Sequence, residues 1–124
     1  MSLDVKSIRT FIGAKNYKVS REFYLDWGFK EIKIPQNMSY FFMDNFGFYL
    51  QDYYVKSWVN NSMIFLEVKE LESSLDHIKK LDLQNKYKGV KITDITYNDW
   101  GNVFFLHDPS GVLWQIGEFN TEIS

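Results

Sequence analysis

With 124 residues, the chain has the length of one domain that can bury a hydrophobic core. Its net charge of −2 argues against nucleic acid as the main partner, and the absence of cysteine excludes disulfides, thiol catalysis and thiolate metal sites. The sequence contains no apolar signal region and no apolar run long enough to span a membrane, so we expect a soluble cytoplasmic protein with no membrane partner. Aromatic residues make up 19% of the chain, more than a small core needs, which predicts that some of them line a concave site.

The first half of the chain predicts one strand, one helix and three further strands. Val19, Phe23 and Trp27 are spaced four apart, which indicates the buried face of a helix. Gly28 follows them and supplies the left-handed conformation that ends many helices. A turn at 44–45 separates the last two strands. The four strands are predicted over 7–13, 29–34, 40–43 and 46–51.

The second half repeats this order. A helix is predicted to begin near Glu70 because apolar residues recur on one face at Leu71, Leu75, Ile78 and Leu81. A polar turn follows at 86–89, and a strong Asp-Pro-Ser-Gly turn occupies 108–111. The strands are predicted over 63–68, 90–97, 103–106 and 112–116. The segment between the halves lacks Gly and Pro, and its tryptophan, Trp58, predicts that it packs against the body of the protein.

The two halves share a sequence skeleton, which indicates an internal duplication. The pattern D-x-x-G-x-x-x-Q begins at Asp44 and again at Asp108, 64 positions later. Upstream, residues 9–12 correspond to 63–66, which lie 54 positions further on, so the second copy carries about ten extra residues in its middle. We therefore predict a single domain over 1–124, with one module at about 6–51, a joint at 52–61 and a second module at about 62–119.

Two motifs resemble those of the vicinal oxygen chelate superfamily, which includes glyoxalases, bleomycin-resistance proteins, fosfomycin-resistance enzymes and extradiol dioxygenases. One is F-Y-x-x-x-G-F from Phe23 to Phe29, with Trp27 where the superfamily usually has Leu. The other is D-P-S-G-x-x-x-Q from Asp108 to Gln115. The resemblance covers about residues 6 to 119. It implies an α+β fold of two tandem βαβββ modules, which form a curved mixed sheet around a central cleft, and it implies a homodimer.

The resemblance also identifies the positions at which a metal would be bound. In metal-dependent members, four cleft-facing residues hold the ion, and they correspond here to Arg9, Gln51, Met63 and Gln115. Arg9 offers only hydrogen-bond donors, Met63 is a soft thioether and the two glutamines are weak neutral ligands. Because divalent ions prefer imidazole and carboxylate ligands, we expect no metal, no cofactor and no catalytic residues at these positions.

Strand alternation predicts which side chains face the cleft. We interpret the two histidines, His77 and His107, as structural residues of a helix surface and a strand end. The segment from Asp99 to Gly101 resembles a P-W-G segment of the metal-free bleomycin-resistance branch, in which loop aromatics stack on the planar part of the drug. The predicted ligand-binding residues are Arg9, Phe11, Tyr49, Gln51, Trp58, Met63, Phe65, Glu67, Trp100, Leu113 and Gln115.

Several of these residues have two possible roles. Arg9 either clamps a carboxylate or phosphate of the ligand, or pairs with Glu67 or another acid of the opposite module. The two glutamines bind a ligand or each other, and Trp58 and Trp100 either stack on a ligand or pack within the joint and a hairpin. Proteins that sequester cationic glycopeptide drugs tend to have an acidic rim, whereas this chain is only mildly acidic and places Arg9 inside the cleft.

Three functions compete at this point. The favoured one is metal-free binding or sequestration of a small aromatic or amphipathic molecule, of the bleomycin-resistance type, in a cleft at a dimer interface. The second is a lyase, isomerase or dioxygenase of the glyoxalase superfamily, for which Glu67 is the only inward carboxylate that could act as a base. The third is a non-catalytic accessory or regulatory module that binds a protein partner. These considerations favour a binding protein over an enzyme.

Overall fold

The computed structural model describes residues 3–120. It contains two mixed β-sheets, and helices pack against one face of each sheet. The first sheet contains β1 to β4, and the second contains β5 to β9. In chain order the elements are β1 (Phe11–Gly13), α1 (Tyr17–Trp27), β2 (Lys30–Ile34), β3 (Met38–Met43), β4 (Phe46–Gln51), α2 (Lys56–Asn60), β5 (Met63–Glu67), α3 (Leu71–Leu81), α4 (Leu83–Lys86), β6 (Lys91–Ile92), β7 (Thr96–Tyr97), β8 (Gly101–His107) and β9 (Leu113–Phe119).

The two sheets repeat one topology. The first has the strand order β1-β4-β3-β2, and the second has β5-β9-β8-β6 with β7 also paired to β8. In each sheet the first strand runs parallel to the last strand of its half, and the other pairs are antiparallel. The α+β fold of two βαβββ halves that the motifs and the duplication predict is thereby confirmed, with two separate sheets in place of one.

The helices largely follow the predicted patterns. Asn16 caps α1 by accepting a hydrogen bond from the Val19 backbone N–H, and Gly28 ends the helix at a φ of 121°. The buried face of α1 is Ser20, Phe23, Tyr24 and Trp27, whereas Val19 is only half-buried. Leu71, Leu75 and Ile78 of α3 are buried as predicted. No helix within residues 3–120 is long and apolar enough to cross a membrane.

The strands and the joint differ from the prediction in several respects, and the last strand runs to Phe119 where it was expected to end at 116. Residues 7–10 precede β1 as exposed extended chain, and the strand expected over 90–97 is interrupted into β6 and β7. The second half also contains a short helix that was not predicted, α4, just before the polar turn expected at 86–89. Its Leu83 is fully buried. The joint packs against the body as predicted, but through Val59 of α2, which is buried, whereas Trp58 is 65% exposed. A five-residue helix has one buried side, and Val59 occupies it.

A shared core joins the two halves through the helix-facing side of each sheet. The Phe48 ring of β4 lies 5.4 Å from the Trp114 ring of β9, and Tyr24 of α1 contacts both. All three are buried. Since side chains alternate along a strand, the neighbours of Phe48 and Trp114 must point away from this core. We call that other side of each sheet its outward face.

A polar cluster fastens β2 to α1 and β3. Arg21 donates two hydrogen bonds to the Glu31 carboxylate, at 2.6 and 2.7 Å, and the Ser39 hydroxyl donates a third at 2.6 Å. The hydrogen bonds from Arg21 are the main reason that the pKa of Glu31 lies below its ordinary value of 4.5. A carboxylate with a lowered folded pKa stabilises the protein above its unfolded pKa and loses that contribution as the pH falls.

We therefore expect Glu31→Gln to remove part of the acid sensitivity of the protein. The wild type should lose about 1 kcal/mol more of its unfolding free energy than the variant between about pH 5 and pH 3. Urea unfolding followed by circular dichroism at both pH values measures this difference. Asp52→Asn, which removes an exposed carboxylate, should behave like the wild type, and equal acid sensitivity of Glu31→Gln and wild type would contradict the assignment.

Candidate functional site

The predicted ligand-binding side chains lie on the outward faces of the two sheets. Along β5, Ile64 and Leu66 pack against the core, while Met63, Phe65 and Glu67 are exposed. On β9, Trp114 is in the core, so its neighbours Leu113 and Gln115 are on the outward face. The same alternation places Tyr49 and Gln51 outward on β4. Since the sheets meet through their opposite sides, a single chain holds these residues on two separate surfaces and does not enclose them in one cleft.

The surface on the first sheet is an aromatic cluster, which we call the arginine patch and define as Arg9, Phe11, Tyr40, Phe42 and Tyr49. Phe11 stacks on Tyr49 at 4.8 Å between ring centroids, and Tyr40 lies 5.3 Å from Tyr49. Phe42 continues the series, stacked 5.5 Å from Tyr40. The Tyr40 ring lies over Gly47, where an added Cβ would be 2.5 Å from the tyrosine oxygen. Sequence reasoning missed Tyr40 and Phe42, although both alternate outward along β3.

Arg9 lies flat against this cluster. Its guanidinium carbon is 4.1 Å from the centre of the Tyr40 ring, and Nη1 donates a 2.9 Å hydrogen bond to the Tyr49 hydroxyl. That hydrogen bond is the main reason that the pKa of Arg9 is raised above its ordinary value. The ion pairs within residues 3–120 are Arg21 with Glu31 and Lys79 with Asp94, so Arg9 and Glu67 do not pair in the described chain.

The surface on the second sheet contains a second aromatic cluster, the Trp100 patch, which we define as Phe65, Trp100 and Phe119. Phe65 stacks on Phe119 at 5.5 Å, and Phe119 lies 5.8 Å from Trp100. The Phe65 ring lies over Gly117, where an added Cβ would be 2.8 Å from it. Sequence reasoning missed Phe119 because it ended the last strand at 116. The outward alternation through 113, 115 and 117 continues to 119 and could have identified it.

At the end of β8 and β9 opposite to Trp100 and Phe119, the second sheet carries a depression of about 340 Å³. Lys91, His107, Leu113 and Met63 are direct partners in successive strands and share the outward face. The His107 Nδ1 atom is buried and has no hydrogen-bond partner within residues 3–120. His107, expected to be structural, thus forms part of a concave wall. The depression is lined by Asn60, Gly89, Lys91, His107, Gly111 and Leu113.

The four positions that correspond to metal ligands do not fit a divalent ion. Arg9 and Gln51 lie on the first sheet, and Met63 and Gln115 lie on the second. One of the four is a permanent cation, and none is an anion or an imidazole. Within residues 3–120, no three His, Asp or Glu side chains lie close enough together to hold a metal. The remaining predicted residue, Trp58, lies apart from both patches, and its ring is tilted against that of Tyr53 at 5.9 Å between centroids.

Both sequence motifs meet in one buried hydrogen-bond network between the halves. The Asp108 carboxylate accepts 2.9 Å bonds from the backbone N–H groups of residues 110, 111 and 112 through Oδ1, and a 2.6 Å bond from the Tyr24 hydroxyl through Oδ2. The Trp114 Nε1–H donates to the same Tyr24 oxygen at 3.0 Å. Burial raises the pKa of Asp108 and outweighs the opposing hydrogen bonds. The motifs therefore hold the two halves together through Tyr24, Asp108 and Trp114, while Leu113 and Gln115 of the second motif lie on an outward face.

Comparison with solved structures identifies the class of fold. A bleomycin-resistance determinant encoded on the transposon Tn5 superposes with a TM-score of 0.78 at 14% identity, over 94% of this chain and 100% of that one. A bleomycin-binding protein in complex with bleomycin gives 0.76 at 14% identity, over 92% and 98%. A lactoylglutathione lyase from Agrobacterium tumefaciens gives 0.67 at 13% identity, over 94% and 96%. No protein-family model and no curated protein matches the sequence.

The chain therefore has the fold of these bleomycin-resistance proteins and of the lactoylglutathione lyase, as its motifs predict. Binding proteins and a lyase share this fold at similar, low identity, so the fold does not choose between capture and catalysis. The choice between capture and catalysis therefore depends on the side chains of the outward faces.

Proposed function

We propose that the protein is a metal-free binding protein that captures a small aromatic or amphipathic molecule. The ligand lies between the arginine patch of one copy and the Trp100 patch of a second copy. One observation carries this proposal: each half displays an aromatic cluster on the face turned away from the core. Phe11 is 51%, Phe65 40% and Trp100 47% exposed, which is unusual for large apolar side chains that a fold could bury.

A second copy of the chain is the partner that completes the site. The outward faces of one chain point away from its own core, so a face of the first sheet can meet a face of the second only in another copy, and a two-fold dimer forms this contact twice. The chain also offers further apolar surface for such an interface. Leu3, Val5 and Ile8, in the extended segment before β1, are 85%, 70% and 93% exposed.

The chemistry of the two patches favours capture over reaction. Proton transfer next to a carbonyl requires a carboxylate or imidazole beside the substrate. On the outward faces of the strands, the carboxylate and imidazole groups are Glu67 and His107, and neither belongs to an aromatic cluster. The patches are instead rich in aromatic rings, with Arg9 as a polar group in one of them and with Gln51 and Gln115 on the same outward faces, a composition typical of small-molecule sites. Two of the similar structures are named for resistance to bleomycin or for binding it.

Binding of 2-naphthalenemethanol, a neutral planar probe, tests the proposal. We expect saturable binding by isothermal titration calorimetry with one probe for each chain. Phe65→Ala should weaken it about tenfold because the probe loses a stacking partner. Phe46→Ala is the matched control. Phe46 is 76% exposed, but it is on the same side of β4 as the buried Phe48 and therefore not on the outward face. It should leave the affinity unchanged.

Sedimentation equilibrium in the same buffer tests the second copy, and we expect a dimer. Equal losses in Phe65→Ala and Phe46→Ala would show that the probe adheres to any exposed ring. A monomer that binds the probe fully would contradict the shared site. A transition metal at about one ion for each chain in the purified protein, together with turnover of an α-keto aldehyde hemithioacetal, would favour the lyase alternative.

A further inference from the structure

We infer that the ligand is an aromatic anion, a planar molecule with a carboxylate, sulfonate or phosphate held by Arg9. This inference rests on the proposed function and names the chemical class that the same site selects. It depends on the hydrogen bonds of Arg9, on the distribution of charge over the outward faces and on the contrast between the two arginines of the chain.

Arg9 is held in place with most of its donors uncommitted. A guanidinium has five N–H donors, and within residues 3–120 Arg9 uses one of them, to the Tyr49 hydroxyl. Its guanidinium carbon lies 4.1 Å from the centre of the Tyr40 ring, a cation–π contact that does not neutralise its charge. A planar cation with a free edge is suited to bidentate recognition of a carboxylate, sulfonate or phosphate.

The other arginine shows how the fold treats a structural guanidinium. Arg21 also lies near a tyrosine ring, 5.9 Å from Tyr17, but it is paired with Glu31 through two hydrogen bonds. Its charge is neutralised at the surface between α1 and β2. Arg9 has an aromatic support of the same kind and no such carboxylate within residues 3–120. The missing acid is the feature that a ligand anion would supply.

Charge on the outward faces has the opposite sign from the chain as a whole. The strands of the first sheet contain one acid, Glu31, which faces the core side toward Arg21. Lys30 is opposite Phe42 and shares its outward face. On the second sheet, Lys91 faces outward beside His107, and Glu67 is the outward acid. With Arg9, which precedes β1, these two lysines give three cations and one carboxylate on the outward faces, although the net charge of the chain is −2.

The position of Arg9 also restricts the geometry of the ligand. Phe11 and Tyr49 form a stacked pair immediately beside the guanidinium, and Phe11 is half exposed. A ring laid on this pair would place an acidic substituent at the free edge of Arg9. A cationic glycopeptide would instead bring positive charge against Arg9, Lys30 and Lys91, which costs binding energy at low ionic strength.

Three probes that share one ring and differ in charge test this inference: 2-naphthoate, 2-naphthalenemethanol and 2-naphthylmethylammonium. By calorimetry on the full chain at pH 7 and low salt, we expect naphthoate to bind about tenfold tighter than the alcohol, and the ammonium probe to bind more weakly than the alcohol. The preference for the anion should shrink as salt is raised toward about 0.3 M. Arg9→Gln should abolish the preference and leave binding of the alcohol in place.

Lys18→Gln is the matched control, because it removes the same charge from an exposed position on α1. It should retain the full preference for naphthoate. Binding of all three probes with equal affinity, or best binding of the ammonium probe, would overturn the anion class while the proposed function stands. If none of them binds, the proposed function fails and the anion class fails with it. If Arg9→Gln weakens the dimer without changing the preference, Arg9 pairs with the second copy and the inference is wrong.

Discussion

Asp108→Ala should cost about 3–5 kcal/mol of the free energy of unfolding, among the largest effects of any single substitution in this chain. The carboxylate is fully buried and accepts four hydrogen bonds, three from the backbone of the turn that follows it and one from Tyr24. Alanine removes the acceptor of all four bonds and leaves the Tyr24 hydroxyl and the Val112 N–H, both buried, without the partner they have in the wild type. Proteins of this size are stable by about 5–15 kcal/mol, so the variant should be close to unfolding at room temperature.

Urea unfolding followed by circular dichroism measures this cost, and the duplication provides the control. Asp44 occupies the corresponding place in the first half, but its side chain is exposed and its backbone is left-handed, with a φ of 50°. Asp44→Ala should cost less than about 1 kcal/mol, from the conformational penalty alone. Similar costs for the two substitutions would mean that the Asp108 network does not hold the halves together.

The sequence predicts the fold well because its strongest signals are local. Gly28 ends α1, the turn at 44–45 separates β3 from β4, and the Asp-Pro turn precedes β9, all as expected. The errors fall where tertiary contacts decide. Residues 7–10 have the alternation of a strand but are exposed extended chain, and α4 forms because Leu83 has a place in the core. Sequence alternation reports a local preference and does not report whether a neighbouring strand is present.

The sequence predicts which side chains share a face of each strand, but it does not predict how the two faces are arranged relative to each other. Alternation correctly separates Met63 and Phe65 from Ile64 and Leu66, since the period of two is a property of the strand itself. Whether two such faces oppose one another depends on how the sheets pack, and here they pack through Phe48 and Trp114, on their other sides. The support of Arg9 by Tyr40 likewise required coordinates, because the two residues are 31 positions apart in sequence.

Trp114→Ala should cost about 4 kcal/mol of the free energy of unfolding. Trp114 is 2% exposed, and its ring lies within 6 Å of four other aromatic rings, those of Tyr24, Trp27, Phe29 and Phe48. Its indole N–H also donates to Tyr24, so the substitution leaves a cavity and removes a hydrogen bond from the Asp108 network. Unfolding in urea should be followed by circular dichroism, because the substitution changes the tryptophan fluorescence itself.

Trp58→Ala removes the same side chain from an exposed position and should cost less than about 1 kcal/mol. Equal losses of unfolding free energy in the two variants would contradict the central place of Trp114 in the core.

The same two variants also test ligand binding, since Trp114 lies between Leu113 and Gln115 in β9, and these two residues face outward. The core side of this strand fixes where its outward side chains lie. We therefore expect folded Trp114→Ala protein to bind naphthalene probes more weakly than wild type, whereas Trp58→Ala, altered apart from both patches, should bind them as wild type does.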